Sequence, residues 1–442
     1  MSSSSTVRRF RSGRVVTPEG VSAADVVVRD GRIVEVVSPT GDADRDFGDL
    51  VLMPGAVDVH VHINEPGRTE WEGFETATMA AAAGGTTTLV DMPLNSIPST
   101  TTAAGLEAKL AATAGKLRAD VGFWGGVVPG NQDELVALWD AGVLGFKCFM
   151  IDSGVEEFQW VQRGDLERAM PILAQLGSPL LAHAELAEPI DAASKAWAKG
   201  DPMCHATWLS SRPDTAETQA IALLVALASE FGNRVHVVHL ATETALPLLR
   251  EARERLGQCL TVETCAHYLT FGAEEIADGA TAFKCAPPIR GGRTREALWA
   301  ALSSGELDFV TTDHSPSPLS LKSPEAGRFD ESWGGIASVQ LLLSAVWTGA
   351  RQRGHDLARL AQWVCSAPAD FAGLGSCKGR LAAGFDADFV VFDPDASFEV
   401  RRDDMFHRHR YTPYEGRTLY GRVHQTYLRG VAVYDEGRFG PA

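Results

Sequence analysis

Residues 56–62 read Ala-Val-Asp-Val-His-Val-His, an apolar β-type run that ends in two histidines. In a strand, residues i and i+2 point to the same side, so His60 and His62 face one side together. Two imidazoles on one side supply half of a metal site. An H-x-H pair alone is a weak signal, and the rest of the chain decides how it is interpreted.

Seven further apolar runs follow at intervals, and helical stretches separate them. Together with the first, the runs cover residues 56–62, 86–92, 121–127, 145–150, 179–185, 235–240, 260–267 and 309–314. Continuously apolar strands that alternate with helices are typical of a parallel sheet covered on both faces. Eight such strands can close into a barrel. The sequence therefore predicts an α/β fold with a (β/α)8 TIM-like barrel, in which helices over 72–83 and 216–231 end at glycine pairs or Gly-Asn.

Short β-type runs also occupy both ends of the chain. Asp30-Gly31 between two such runs is a strong hairpin signal. Similar runs return after Gly379, over 387–392, 421–423 and 430–434. We expect the two ends to pair into one small β-sandwich, with residues 6–53 and 380–442 as its parts and residues 54–379 as the metal-binding barrel. Residues 1–5 are predicted to be a frayed polar tail.

The composition excludes several classes of protein. A net charge of -17 argues against nucleic acid as a partner, because phosphate binding needs a basic surface. The seven cysteines are scattered and include no C-x-x-C pair, which favours a reducing compartment over a disulfide framework. The first residues contain no apolar signal region, and no apolar run is long enough for a membrane span. A cytoplasmic protein without a membrane partner is the expectation.

Four other polar residues lie at the C-terminal parts of predicted strands, where barrel active sites are found. They are Lys147, His183, His239 and Asp313. Each could be an ordinary polar residue of the core. With His60 and His62, however, they suit a centre of two divalent ions, and imidazole and carboxylate favour zinc or a similar metal. An ammonium cannot bind a metal, but a carbamate formed from Lys147 and carbon dioxide would supply two bridging oxygens.

At this point the chain resembles a known family, the amidohydrolase superfamily, in its cyclic amidase branch. The resemblance covers nearly the whole chain. It rests on Met53-Pro54-Gly55, on the H-x-H motif, on the Lys147 strand, on the three later ligand positions and on Gly384-Phe385-Asp386-Ala387-Asp388. It implies that His60, His62 and Asp313 hold one metal, that His183 and His239 hold the other, and that carboxylated Lys147 bridges them. It also implies that Asp313 is the catalytic base and acid, that zinc is the metal, and that the enzyme is a homotetramer.

Within that branch, the residues beside the metals distinguish the possible substrates. Dihydroorotases usually carry an arginine two positions after the H-x-H motif, to bind a carboxylate, whereas this chain has Asn64. Hydantoinases usually place a tyrosine in the loop after the fourth strand, and no tyrosine lies between 149 and 162. The segments 64–74, 91–96 and 145–155 resemble allantoinases, which implies hydrolysis of the cyclic amide of allantoin to allantoate.

Seven loop residues are predicted to contact this small-molecule substrate: Asn64, Ser153, Gly154, Cys285, Ala286, Pro287 and Ser315. His267 and His314 are expected to support the centre without binding metal. Asn95 is a weaker candidate for a substrate contact, and a turn role is favoured for it. Two alternatives stay open. The first is an enzyme of the hydantoinase or dihydropyrimidinase type, and the second is a catalytically inactive relative that serves as a scaffold.

Overall fold

The computed structural model describes residues 7–440, whose strands form three hydrogen-bonded sheets. The strands are β1 (Val7–Thr17), β2 (Gly20–Arg29), β3 (Arg32–Val37), β4 (Arg45–Asp46), β5 (Val51–Pro54), β6 (Ala56–Val61), β7 (Thr86–Asp91), β8 (Asp120–Phe123), β9 (Gly125–Gly126), β10 (Phe146–Phe149), β11 (Pro179–His183), β12 (Arg234–Val237), β13 (Leu260–Cys265), β14 (Phe309–Thr311), β15 (Phe389–Glu399), β16 (Thr418–Leu428), β17 (Val431–Asp435) and β18 (Arg438–Phe439). The helices are α1 (Phe74–Ala83), α2 (Ala103–Ala112), α3 (Leu135–Asp140), α4 (Arg163–Leu176), α5 (Ala187–Trp197), α6 (His205–Ser211), α7 (Asp214–Phe231), α8 (Leu246–Leu256), α9 (Ala266–Thr270), α10 (Gly292–Ser304), α11 (Leu319–Lys322), α12 (Leu342–Gln352), α13 (Leu357–Ala361) and α14 (Ala367–Phe371).

The strands β6 to β14 form the barrel, and every pairing among them is parallel. Their order follows the sequence, from β6 through β8 and from β9 through β14. The last strand returns to the first through a parallel bridge between Val61 and His314, and the amide of His62 donates to the carbonyl of His314 at 2.7 Å. The barrel is therefore closed beside the two histidines, and the predicted fold class is confirmed.

The two ends of the chain meet in one continuous nine-stranded sheet, in the order β18-β17-β16-β15-β5-β1-β2-β3 with β4 beside β1. The link between the ends is the antiparallel pairing of β5 with β15. Alternate residues of β15 serve two cores. Phe389 and Val391 pack inside the terminal sheet, whereas Val390 and Phe392 pack against the barrel. This alternation attaches the sheet to the barrel, because side chains of a strand point to opposite faces in turn.

The predicted hairpin is confirmed at Asp30-Gly31, where Arg29 pairs with Arg32. Both turn residues have positive φ, 50° and 79°, as a tight two-residue turn requires. The predicted third barrel strand is divided, because Trp124 interrupts it between β8 and β9. The predicted seventh strand ends early at Cys265, so His267 lies in the short helix α9.

Some sequence predictions fall at the edges of this description. The polar tail over residues 1–5, residue 6 and the last two residues of the 380–442 segment lie outside the described residues. The predicted boundary at residue 53 falls within β5, which ends at Pro54. Between residues 7 and 440, no helix has the length and apolarity needed to cross a membrane.

Candidate metal centre

Six polar side chains converge at the C-terminal rim of the barrel. His60 lies in β6, Lys147 in β10 and His183 at the end of β11, and the other three follow directly after β6, β12 and β14. These are His62, His239 and Asp313. Five of the six line one cavity of about 220 Å³, and Lys147 is fully buried. The parallel barrel places the ends of all these strands at one edge, which is why residues so distant in sequence meet.

The first group comprises His60, His62 and Asp313. The Oδ1 atom of Asp313 lies 3.2 Å from His60 Nε2 and 3.3 Å from His62 Nε2. Two ligand atoms on a tetrahedral zinc ion lie about 3.3 Å apart, given metal–ligand distances near 2.0–2.1 Å. The three atoms are therefore spaced like ligands of one cation. A divalent metal fits this group.

The second group comprises His183 and His239. The Nδ1 atom of His183 lies 2.9 Å from Nε2 of His239, so the two rings turn nitrogen atoms toward one point. The other nitrogen of His183 faces Glu185 Oε2 at 2.7 Å, which fixes the orientation of that ring. Burial lowers the pKa of both histidines, so the neutral form that binds metals prevails at neutral pH.

Lys147 lies deeper than the other five. Its ammonium is completely buried and has no hydrogen-bond partner among the described residues. Its charge acts on Asp313 and Glu263, and also on His183 and His239. Burial lowers the pKa of Lys147 to about 8. A buried cation without a hydrogen bond is costly, so the site fits a lysine that is chemically modified or neutral better than one that stays charged.

Asp313 is held in its ionised form. Burial alone would raise the pKa of its carboxyl group, but the imidazoles of His60 and His62 outweigh that effect and hold the pKa below its usual range. His239 and Asp313 also adopt positive φ, 40° and 46°, which side chains other than glycine seldom do. Such strain is concentrated at functional sites, where the surrounding structure aims a side chain.

Asp58, the first polar residue of the opening motif, ties the first strand to the last. Its carboxylate accepts hydrogen bonds from the amide of His60 at 3.2 Å, from the amide of Thr312 at 3.3 Å and from the Thr312 hydroxyl. His60 is itself one of these donors, and Asp313 directly follows Thr312. The aspartate therefore fixes the distance between two candidate ligands without reaching the cavity itself.

Glu263 is a second buried support that the sequence did not identify. Its Oε1 contacts His60 Nδ1 and lies 3.3 Å from the amide of His239, and its Oε2 lies 3.1 Å from His236 Nε2. Although burial opposes ionisation, the charges of His60 and His236 bring the pKa of this carboxyl to about 2. One carboxylate thus orients residues of both candidate ligand groups.

Glu263→Gln is expected to lower metal affinity by ~10–100-fold, as loss of a carboxylate behind a ligating histidine typically does. The side chain keeps its size, so the change isolates the charge. Metal dissociation constants from competition with a chromophoric chelator check this. An unchanged dissociation constant would show that Glu263 serves packing alone.

Four of the seven predicted substrate residues line the cavity: Ser153, Gly154, Ala286 and Ser315. The other three lie behind its wall. The carbonyl of Cys285 accepts a hydrogen bond from the indole of Trp208 at 3.1 Å, and the carbonyl of Pro287 accepts one from Tyr268 at 2.6 Å. Asn64 is buried, and its nearest donor contact is with the carbonyl of Pro316 at 3.5 Å. None of these three residues belongs to the cavity lining, and the Oδ1 atom of Asn64 is buried without a hydrogen-bond partner among residues 7–440.

The cavity wall also contains residues that the sequence did not single out: Trp208, Arg212, Lys284 and Trp333. The Lys284 ammonium lies 4.5 Å from the centre of the Trp208 ring and donates to the Ser332 carbonyl at 2.5 Å. Arg212 donates to Glu185, the residue that orients His183. Lys284 directly precedes the predicted substrate contacts 285–287. This adjacency was the one sequence signal that could have identified a residue of this wall.

His314 and His267 differ in their hydrogen bonding. Nδ1 of His314 accepts from the amide of Ser338 at 2.9 Å, and Nε2 lies 3.2 Å from Glu72. With its carbonyl bonded to His62, this ring braces the closure of the barrel. His267 is buried, and its two ring nitrogens have no partner among residues 7–440.

A second acidic cluster lies elsewhere, where Asp120 approaches Asp386 and Asp388. The ammonium of Lys378 occupies its centre, at 2.5 Å, 2.9 Å and 2.5 Å from the three carboxylates. Because the lysine neutralises them, we interpret the cluster as an ion-pair network that joins the barrel to the terminal sheet.

Comparisons with known proteins find relatives that match nearly the whole chain. An allantoinase of Streptomyces avermitilis is 49% identical over 435 residues, which cover 97% of this chain and 96% of that protein. An allantoinase of Arabidopsis thaliana is 42% identical and covers 97% of this chain and 88% of that protein. Among solved structures, the L-hydantoinase (dihydropyrimidinase) of Arthrobacter aurescens superposes with a TM-score of 0.91 at 30% identity, covering 98% of this chain and 97% of that one.

The match to a family description is equally extensive. Residues 51–433 match the Amidohydrolase family, a range that begins at β5 and includes all six converging side chains. On this match and on the identity to its relatives over nearly the full length, the chain belongs to the Amidohydrolase family.

Proposed function

We propose that this chain hydrolyses the cyclic amide of allantoin to give allantoate. The observation that carries the proposal is the convergence of five candidate ligands on one small cavity at the C-terminal rim of the barrel, with Lys147 buried as the sixth. Its relatives named allantoinase, at 49% and 42% identity over nearly the whole chain, support the choice of substrate. The enzyme is a hydrolase that acts on cyclic amides.

The residues that would hold the metals follow from the two ligand groups. His60, His62 and Asp313 would bind one divalent ion, and His183 and His239 would bind the other. Zinc suits both donor sets.

Lys147 would join the two ligand groups as a carbamate. Its neutral amine adds to carbon dioxide, a nitrogen–carbon bond forms, and one proton is released. The carbamate carries two oxygens, one for each group. The absence of a hydrogen-bond partner for the Lys147 ammonium supports this assignment.

When bound, two divalent ions supply the positive charge that lowers the pKa of a water molecule and polarises a carbonyl. The ionised carboxylate of Asp313 accepts the proton of the attacking water as a new oxygen–carbon bond forms. Asp313 then returns that proton to the ring nitrogen as its bond to the carbonyl carbon breaks. The ring opens to a urea group and a carboxylic acid, which releases its remaining proton to solvent and becomes a carboxylate. Ser153, Gly154, Ala286 and Ser315 lie where they can hold the ring.

Several finer features belong to the same proposal. A homotetramer and a cytoplasmic location are expectations from the sequence. Asn64, Cys285 and Pro287 would affect substrate binding only indirectly, by positioning the wall residues beside them. Hydantoinase activity is the second candidate, because a hydantoinase superposes closely on this chain.

A substrate panel tests the proposed function. We expect the purified enzyme to turn over allantoin with a higher kcat/KM than hydantoin, dihydrouracil or dihydroorotate. Treatment with a chelator should abolish this activity, and added divalent metal should restore it, because the mechanism needs the acidified water. A higher kcat/KM for hydantoin would favour the second candidate. If no member of the panel is hydrolysed by metal-loaded enzyme, the chain does not catalyse ring opening.

A further inference from the structure

Asn95 lies in the cavity wall, four residues after the end of β7, beside one of the candidate ligands. Its Nδ2 atom lies 3.4 Å from Nδ1 of His62. Its Oδ1 atom is buried and has no hydrogen-bond partner among the described residues. One end of the amide thus faces a ring nitrogen, while the other end is an unsatisfied acceptor.

The orientation of the His62 ring decides which end of the amide belongs there. Nε2 of His62 faces Asp313 Oδ1 at 3.3 Å, so this nitrogen is the one available to a cation. A neutral imidazole that binds through Nε2 carries its proton on Nδ1, which is then a donor. An amide nitrogen is also a donor, so the two cannot bond. Turning the amide by 180° brings Oδ1 onto the N–H of His62 and leaves no donor facing a donor.

The backbone around Asn95 is fixed independently of His62. Asn95 has a φ of 69°, a conformation that asparagine tolerates better than most residues. Its carbonyl accepts a hydrogen bond from Arg68 at 2.8 Å, and Arg68 is held by an ion pair with Glu157. A turn role explains the backbone conformation. It does not explain why a buried amide is directed at a metal-ligating ring.

We propose that Asn95 is a positioning residue of the metal centre, whose amide oxygen accepts the Nδ1–H of His62 and keeps Nε2 of that ring directed at the cation. The inference rests on the metal centre of the proposed function. A partner of this kind orients the imidazole and strengthens it as a ligand. Arg68, through the Asn95 carbonyl, fixes the position of the acceptor.

Two substitutions at Asn95 and one elsewhere test this. Asn95→Gly removes the acceptor and accepts the positive φ, whereas Asn95→Asp keeps an acceptor at the same position. Asn64→Gly is the matched control, because Asn64 is also buried with a φ of 67° but contacts no candidate ligand. The readout is the metal dissociation constant, from competition with a chromophoric chelator, with thermal unfolding of the metal-free proteins to verify folding.

We expect Asn95→Gly to weaken metal binding by ~10–100-fold, and Asn95→Asp and Asn64→Gly to stay within about threefold of the parent chain. Wild-type affinity in Asn95→Gly would overturn the inference and leave the proposed function intact. Equal weakening in Asn95→Asp would also overturn it, because the acceptor would then be irrelevant, and this variant decides the matter even if the glycine variant does not fold. A parent chain that binds no divalent metal would contradict both the role of Asn95 and the proposed function.

Discussion

Asp313→Asn is expected to lower kcat for allantoin hydrolysis by ~10²–10⁴-fold while metal binding largely persists. The asparagine keeps an oxygen that can lie near His60 and His62, where Oδ1 of the aspartate lies 3.2 Å and 3.3 Å from their nitrogens. It cannot accept and return a proton at neutral pH. The substitution therefore separates the ligand role of this residue from its role in proton transfer.

Steady-state kinetics and metal analysis of the same preparations check this expectation. KM should change less than kcat, because the lost interaction belongs to the transition state. Asp356→Asn is a suitable comparison, since it makes the same chemical change at a carboxylate that accepts from the amide of Arg359 at 2.8 Å, outside the cavity of the metal centre. Turnover near that of the parent chain in Asp313→Asn, with full metal content, would show that another group moves the proton.

The fold could be predicted because its signals are local. A run of apolar residues such as 56–62 can form a buried strand regardless of which strands pair with it. Asp30-Gly31 favours a tight turn by its own backbone preference. The predicted end of the seventh strand was wrong because it, too, relied on local signals alone. Residues 266–270 are apolar enough for a strand, but they form the helix α9 once Cys265 has completed its pairing with Thr311.

The candidate ligands could also be predicted, since each lies at the end of a recognisable strand. The groups around them could not. Glu263 lies within a strand and resembles any buried acid, and only its contacts with His60 and His236 reveal its position behind the centre. Trp333 belongs to the loop between α11 and α12, and no periodic pattern relates it to the cavity that it lines. Contacts between segments far apart in sequence place these residues beside the centre, and a single sequence does not reveal such contacts.

Asn95 lies between these two extremes. Its place after the second barrel strand was evident, but a turn and a substrate contact both account for an asparagine there. The distinction requires the orientation of the amide relative to His62, which depends on how two separate strands meet. The sequence thus predicts the candidate ligands at the strand ends, but not the residues that orient those ligands.

Lys147→Ala is expected to reduce allantoin hydrolysis by ~10³-fold or more and to deplete the bound metal, because the bridge between the two ligand groups is lost. Lys322→Met is the matched control. Lys322 is likewise buried, but it donates to the carbonyls of Thr281 and Lys284, away from the candidate ligands. Lys322→Met should retain its metal. If the loss of any buried lysine were enough to deplete the metal, Lys147→Ala and Lys322→Met would lose it equally.

Chemical rescue distinguishes a carbamate from a simple positive charge at position 147. Formate, acetate or propionate can enter the space left in Lys147→Ala and offer two carboxylate oxygens, so each should partly restore metal content and turnover. Methylamine and ethylamine restore only the charge and should not. In the parent chain, ¹³C-labelled bicarbonate should give a carbamate resonance that Lys147→Ala lacks and Lys322→Met keeps. Rescue by the amines, or full metal content in Lys147→Ala, would contradict the bridge, because Lys147 would then act as a cation or only fill space.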